Sequence, residues 1–162
     1  MGGGQHPGDS MGSANAVVES SKTFRNFPCA HRRFRHEGHC AWVHGYSRSF
    51  TLWFRASELT ENGFVMDFGQ LKPVKAWLES MFDHTLLLDS GDPLIPQFRE
   101  IEQQGGCKLV VFDDVGMEGT CAFVKDWVDR WLAEETQGRV WLHSVEVREN
   151  DKNSARIVHV GD

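Results

Sequence analysis

His31, His36, His39 and His44 bring half of the chain's eight histidines into one short stretch. His31 and His44 stand where one predicted strand ends and the next approaches, so their imidazoles can converge on a metal. Zinc is the natural occupant for neutral imidazoles, and a catalytic zinc site keeps three protein ligands and one open position. Solvent-exposed, idle loop histidines are the plainer reading, and spacing alone does not choose between the two. Cys40 precedes His44 by four residues. A thiol beside zinc or a protonated imidazole loses its proton more easily and becomes a usable base or nucleophile. The commoner fate of a lone cysteine is burial as a small apolar group. That is the reading given to Cys29, Cys107 and Cys121, each in or beside an apolar segment.

Asp83-His84 places a carboxylate next to a ring that it can orient and make more basic, as in a general acid–base pair. The alternative is a helix-ending pair that caps backbone groups. Glu149 ends a predicted strand before a turn. A carboxylate held there can accept two hydrogen bonds from a planar N–H pair, such as a guanidine-like heterocycle edge, or simply be solvated. Glu118 opens a predicted helix, where the dipole favours an acid. Arg32, Arg33 and Arg35 sit beside His31 and are either solvated surface or a clamp for a polyphosphate.

The elements that must position these groups follow from periodicity. Residues 22–30 read as a strand leading into a His-rich loop, 31–46. The alternation Ser49-Phe50-Thr51-Leu52-Trp53-Phe54 predicts the next strand. Glu61-Asn62-Gly63 signals a hairpin turn into a short strand, 64–66, ending at Asp67. Leu71, Val74, Leu78 and Met81 share one face of a helix over 70–82, with Pro73 in its first turn. Residues 83–106 read as a loop with a short helix after Pro96, followed by a buried strand over 107–112. Val124, Trp127, Val128 and Trp131 predict a helix over 118–134, ended by Gly138. Strands over 140–149 and 154–160 flank the turn Asn150-Asp151-Lys152-Asn153. Hairpins at both ends predict a largely antiparallel sheet with helices on one face, an α+β layer arrangement.

A length of 162 residues suits one domain. Residues 1–20 are Gly/Ser-rich and aperiodic and are expected to form a disordered tail, leaving 21–162 as the single domain. A net charge of -6 argues against a general nucleic-acid binder, which needs a basic face, while leaving room for one local basic pocket. There is no apolar run of about 18 residues, so no membrane partner is expected. The four cysteines form no CxxC pair and the N-terminus has no apolar leader segment, which points to a cytoplasmic protein with reduced thiols.

Ala30-His31-Arg32, Cys40-x-x-x-His44-Gly45, Gly63-Phe64-Val65-Met66-Asp67-Phe68-x-x-Leu71-Lys72, Asp83-His84-x-x-Leu87, Glu118 and Glu149 follow one another along nearly the whole chain after residue 22. In joint order and spacing they resemble the 6-pyruvoyl/6-carboxy-tetrahydropterin synthase family. The resemblance implies a T-fold: an α+β subunit with a four-stranded antiparallel sheet and two helices on one face. Such subunits assemble around a barrel as a homohexamer, a dimer of trimers, with active sites between subunits. The resemblance also implies a Zn2+ cofactor held by His31 and His44, with Cys40, Asp83 and His84 catalytic. Glu149 would anchor the pterin, in a pocket lined by Met66, Asp67 and Glu118.

The implied reaction converts 7,8-dihydroneopterin triphosphate to 6-carboxytetrahydropterin, acetaldehyde and triphosphate, a step toward queuosine and other deazapurines. Alternatives are pyruvoyl-tetrahydropterin formation, a variant aldolase cleavage of the dihydroneopterin side chain, and a pterin- or purine-binding protein without turnover. The chain departs from the family pattern at Tyr46, where the family has its third zinc-binding histidine. A phenol with a pKa of about 10 is a poor ligand near neutral pH. Tyr46 with a lowered pKa, His36 or His39 are the candidates for that place, the alternative being a chain that binds zinc weakly or not at all. Asn150 stands where the family has Thr, and residues 93–106 form an insertion.

Overall fold

A computed structural model describes residues 16–161. The tail expected over 1–20 lies outside the described residues up to position 15. Beyond it the chain is already engaged, since Glu19 pairs with Arg55 at 2.7 Å and the first strand opens at Ser20.

Two long strands form the centre of the sheet. β1 (Ser20–His31) and β2 (His44–Ala56) run antiparallel, with Phe24 opposite Phe50 and His31 opposite His44. A bulge between Phe24 and Phe27 is absorbed by Asn26 at φ 67, a conformation Asn tolerates better than most residues. Strict alternation along β2 turns Arg48, Phe50, Leu52 and Phe54 inward. β5 (Val140–Arg148) and β6 (Ser154–Val158) extend the sheet beyond β2, both antiparallel.

On the other side lie β3 (Thr85–Asp89) and β4 (Leu109–Phe112), which are parallel to β1 and to each other. The sheet therefore has six strands in the order β4-β3-β1-β2-β5-β6 and is mixed, in place of the expected four antiparallel strands. The source of the discrepancy is β3. All five of its residues are buried, and a strand covered on both faces carries no alternation to read. The strand expected over 64–66 is instead a turn closed on itself, with Thr60 N–H donating to Phe64 O and Gly63 at φ 79. Its apolar run delivers Val65 and Met66 to the core rather than to a neighbouring strand.

Three helices cover the sheet. α1 (Lys72–Phe82) buries Val74, Leu78 and Phe82, and α3 (Met117–Glu135) buries Cys121, Val124, Val128 and Leu132, against the same face. Trp77 of α1 stacks on Trp127 of α3 at 4.2 Å, tying the two helices together. Residues 83–106, expected as a loop with a short helix after Pro96, contain that helix as α2 (Ile95–Gln103) and also the unexpected β3. α2 covers the opposite face, where Ile95 and Phe98 pack on Leu86, Leu88 and Leu109. Helices thus lie on both faces, with two on the main core. No helix among the described residues is long and apolar enough to cross a membrane.

Candidate active site

The antiparallel register brings His31, the last residue of β1, opposite His44, the first of β2. Period two then places His44, Tyr46 and Arg48 on the face covered by α1 and α3, at the end of the sheet where the apolar core gives out. The His31 and His44 ring centroids are 4.5 Å apart, and the Tyr46 ring lies 6.4 Å from the first and 5.7 Å from the second. Gly45 between them is required by close approach, because a Cβ there would sit 2.9 Å from the carbonyl oxygen of Cys29. Glu149, just past β5, turns toward the same group, with Oε1 3.5 Å from His31 Nε2.

Beneath the rings lies a residue that sequence reasoning missed. Arg48 is fully buried, an unusual place for a guanidinium. It donates to Thr120 Oγ1 at 3.0 Å and to the Val115 carbonyl at 2.9 Å, and it stands 3.8 Å from Glu149 Oε1. The same nitrogen that meets Val115 lies 3.3 Å from His31 Nδ1. Its Nε–H has no partner among the described residues. The signal was present in the sequence, since Arg48 has the parity of Phe50, Leu52 and Phe54 and must point inward with them. Val115 is held in turn by Asp89, which accepts from its N–H at 2.8 Å.

These contacts test the fit to zinc. His44 Nδ1 meets the Trp42 carbonyl at 2.7 Å and must donate to it, which leaves Nε2 with a free lone pair, as a metal ligand needs. His31 is set the other way. A guanidinium only donates, so His31 Nδ1 accepts, and the proton of the neutral ring lies on Nε2 facing Glu149. Ligation through that nitrogen would move the ring proton to Nδ1, where it would face a guanidinium that also only donates, and a dication would stand close to a buried cation. Among the described residues no three His, Cys, Asp or Glu side chains gather as a metal group. The donor set as arranged does not fit a three-ligand zinc site.

Burial pushes His31 down from its ordinary 6.5 to about 3, and the charges of Arg48, His44 and Arg33 act in the same sense. His31 is therefore neutral when folded above about pH 3, and below about pH 6.5 it takes a proton on unfolding. Between about pH 6.5 and 3 the unfolded chain binds the extra proton, so stability rises with pH across that window and is lost as pH falls through it. The slope from this one group approaches about 1.4 kcal/mol per pH unit. Urea midpoints taken at pH 7 and pH 5 should drop accordingly, and His31→Gln should flatten that drop. An unchanged pH dependence in the variant would remove His31 from this role.

The remaining expected site residues are dispersed. Cys40 sits on a 3-10 turn, His39–Ala41, whose Cys40 carbonyl accepts from Arg33 N–H at 2.8 Å. It lines a cavity of about 580 Å³ with Arg33, Phe34, Arg35, Asp89 and Asp113 among its walls. Asp83 and His84 form an exposed pair, Nδ1 to Oδ1 at 2.7 Å, with His84 at φ 57. They do not line the Cys40 cavity. His84 instead borders a separate open hollow with Tyr46, Gly45 and Thr85. Met66 and Asp67 border a third cavity with Phe64 and Phe68, where Asp67 caps the turn by accepting from Gly69 N–H. Glu118 occupies the first turn of α3, as its dipole argument requires.

The basic run is largely spent within the chain. Arg32 pairs with Asp92 at 2.7 Å, and Arg33 pairs with Asp114 and lies 3.3 Å from Asp89. Arg35, over the Phe34 ring at 5.0 Å, has no such carboxylate partner among the described residues. The four cysteines are free thiols. Burial pushes Cys29 up to about 11 and raises Cys121, which makes both inert packing groups.

Comparison with known proteins locates this arrangement. A family model described as 6-pyruvoyl tetrahydropterin synthase matches residues 20–159. A 6-carboxy-5,6,7,8-tetrahydropterin synthase of Rickettsia bellii is 36% identical over 84 residues, 51% of this chain and 59% of that protein. The matched stretch thus spans well under two thirds of the relative's length. Among solved structures, an uncharacterized protein from Wolinella succinogenes aligns with a TM-score of 0.74 at 21% identity, covering 90% of this chain and 99% of that one. A Plasmodium vivax 6-pyruvoyl tetrahydropterin synthase aligns with a TM-score of 0.60 at 15% identity, covering 86% and 97%. At those identities the structural likenesses speak for the α+β fold.

Proposed function

The chain belongs to the 6-pyruvoyl tetrahydropterin synthase family, and from that premise we propose that it is a lyase acting on 7,8-dihydroneopterin triphosphate. Its products would be 6-carboxytetrahydropterin, acetaldehyde and triphosphate, serving queuosine or a related deazapurine in the cytoplasm. The observation that carries this reading is the convergence of His31, His44, Tyr46 and Glu149 at one end of the sheet.

In this reading Glu149 accepts hydrogen bonds from the amino group and ring N–H of the pterin. His31 and Arg48 hold the carboxylate from behind. Met66, Asp67 and Glu118 are assigned to the substrate surface, and Arg35 is the arginine of the basic run left to meet phosphate. Cys40, as thiolate, takes a proton from the substrate side chain. His44, with Nδ1–H fixed on Trp42, offers Nε2 to a substrate hydroxyl. The exposed Asp83–His84 pair relays protons from a neighbouring copy, which gives a reason for a homohexamer whose sites lie between subunits. Bound zinc in the family's sense would polarise the side-chain oxygens as a Lewis acid. No step here is assigned to it, because the donor set does not fit.

A second reading, a pterin- or purine-binding protein without turnover, is favoured by Tyr46 and by the proton on His31 Nε2. A mass-resolved product assay separates the two. Reduced protein given 7,8-dihydroneopterin triphosphate is expected to yield 6-carboxytetrahydropterin and acetaldehyde. A pyruvoyl product, or a cleaved side chain with no carboxylate, would reassign the reaction within the family. Persisting substrate with retained pterin binding would establish the binding reading.

A further inference from the structure

We infer that Arg48 is the resident cation of this site, standing in for a metal ion by fixing His31 in its Nε2–H form and holding the Glu149 carboxylate from behind. This rests on the pterin-site reading above. The argument is one of charge, donors and space. A guanidinium carries five donors in a rigid fork and no acceptor, so each group around it must accept. Thr120 Oγ1, the Val115 carbonyl and His31 Nδ1 do so at 3.0, 2.9 and 3.3 Å. Thr120 comes from the first turns of α3 and Val115 from the segment before it, so the cation is clamped between helix and sheet. These partners offset the burial of the guanidinium, whose Nε–H has none among the described residues, and Glu149 at 3.8 Å supplies the counter-charge.

The consequence falls on both rings. His31 presents an N–H, not a lone pair, to the pocket and to Glu149. His44 alone presents a lone pair, since its Nδ1–H is held by Trp42. The pocket then offers one imidazole acceptor, one imidazole donor and the phenol of Tyr46 to the substrate side chain. Zinc would need two lone pairs and a third ligand at the same place. Arg48 is in this sense a positioning residue. It is fully buried and acts on the substrate through His31 and Glu149.

Nitrogen-15 NMR of histidine-labelled full chain reads this directly, with His31→Gln and His44→Gln used to assign the signals. The expected pattern is Nε2–H on His31 and Nδ1–H on His44. Nδ1–H on His31 would overturn the inference. Zinc uptake against a chelating dye gives a second readout. The natural chain is expected to take up well under one zinc per molecule, and a stoichiometric complex would overturn the inference. Tyr46→His alone should leave uptake low, because Arg48 still holds His31. The pair Tyr46→His with Arg48→Phe, checked for folding by circular dichroism, should take up one. Full uptake by Tyr46→His alone would overturn Arg48's part. Turnover measured with chelator present keeps the two ideas apart: loss of the synthase reaction with the tautomer pattern intact fails the function and leaves the inference standing.

Discussion

Replacing Cys40 with Ala is expected to lower turnover of 7,8-dihydroneopterin triphosphate by about 10²–10⁴-fold, the range lost when a proton-transfer group is removed, while pterin binding stays unchanged. Three features make this a test of chemistry rather than of folding. Cys40 is only partly buried and belongs to no core cluster. Its backbone position is held by its carbonyl, which accepts from Arg33, so the turn survives loss of the thiol. It also lines an open cavity of about 580 Å³, so loss of the thiol alters the wall of that cavity and not the packing beneath it. Cys29 provides the internal control. Its thiol is buried in the core and pushed up to about 11, so Cys29→Ala should leave kcat near the natural value while lowering stability. Full activity in Cys40→Ala would end its role as the base, and His44, whose Nε2 lone pair is free, would become the next candidate. A pre-steady-state measurement of pterin binding by fluorescence separates a lost proton acceptor from a lost substrate.

How much of this was legible in the sequence depends on which physical signal each piece leaves. β2 announces itself by alternation, and α1 by Leu71, Val74, Leu78 and Met81 at helical spacing, of which the helix buries Val74 and Leu78 together with Phe82. β3 leaves neither period, because Thr85-Leu86-Leu87-Leu88-Asp89 is buried on both faces, and α2 was legible only as a short helix within a supposed loop. The apolar triplet over 64–66 looks like a strand to any local rule, yet the turn before it bonds back on itself and leaves no edge to pair. The site divides the same way. His31, His44, Tyr46 and Glu149 were named from the chain and do meet. What spacing does not display is the interior charge network. Arg48 reads as an ordinary strand arginine until the parity of β2 is followed past it. Asp89, Asp92 and Asp114, which take up Arg33 and Arg32, come from distant segments that only the β3–β4 topology brings near. The triplet of arginines therefore looks like a phosphate clamp in sequence, and in the fold it is mostly an internal set of ion pairs.

Glu149 carries the second large effect, and it bears two loads that substitutions can separate. Outward it is assigned the pterin edge, and inward it is the counter-charge of Arg48. Glu149→Ala removes both. It leaves a buried guanidinium without its carboxylate, which should cost about 3 kcal/mol of stability. That corresponds to a fall in Tm of about 6–12 °C for a domain of this size. Glu149→Gln keeps the volume and one acceptor oxygen but gives up the charge, so its loss of stability should be smaller. Pterin affinity should fall in both. A hydrogen bond to a charged acceptor contributes about 1.5–3 kcal/mol, so Kd should rise by about 10–100-fold in the Gln variant. Titration calorimetry with a dihydropterin and thermal unfolding on the same samples give the two axes. If Gln weakens binding while the fold holds, Glu149 is an anchor that also balances Arg48. If both variants lose stability while binding is untouched, the carboxylate belongs to the interior network alone, and the pterin must be read by another group at the mouth of the site. Because Oε1 already faces His31 and Arg48, the side chain is pre-oriented by the groups behind it. The same contact predicts that Arg48→Lys weakens pterin binding, since a single ammonium cannot serve Thr120, Val115, His31 and Glu149 from one fixed plane.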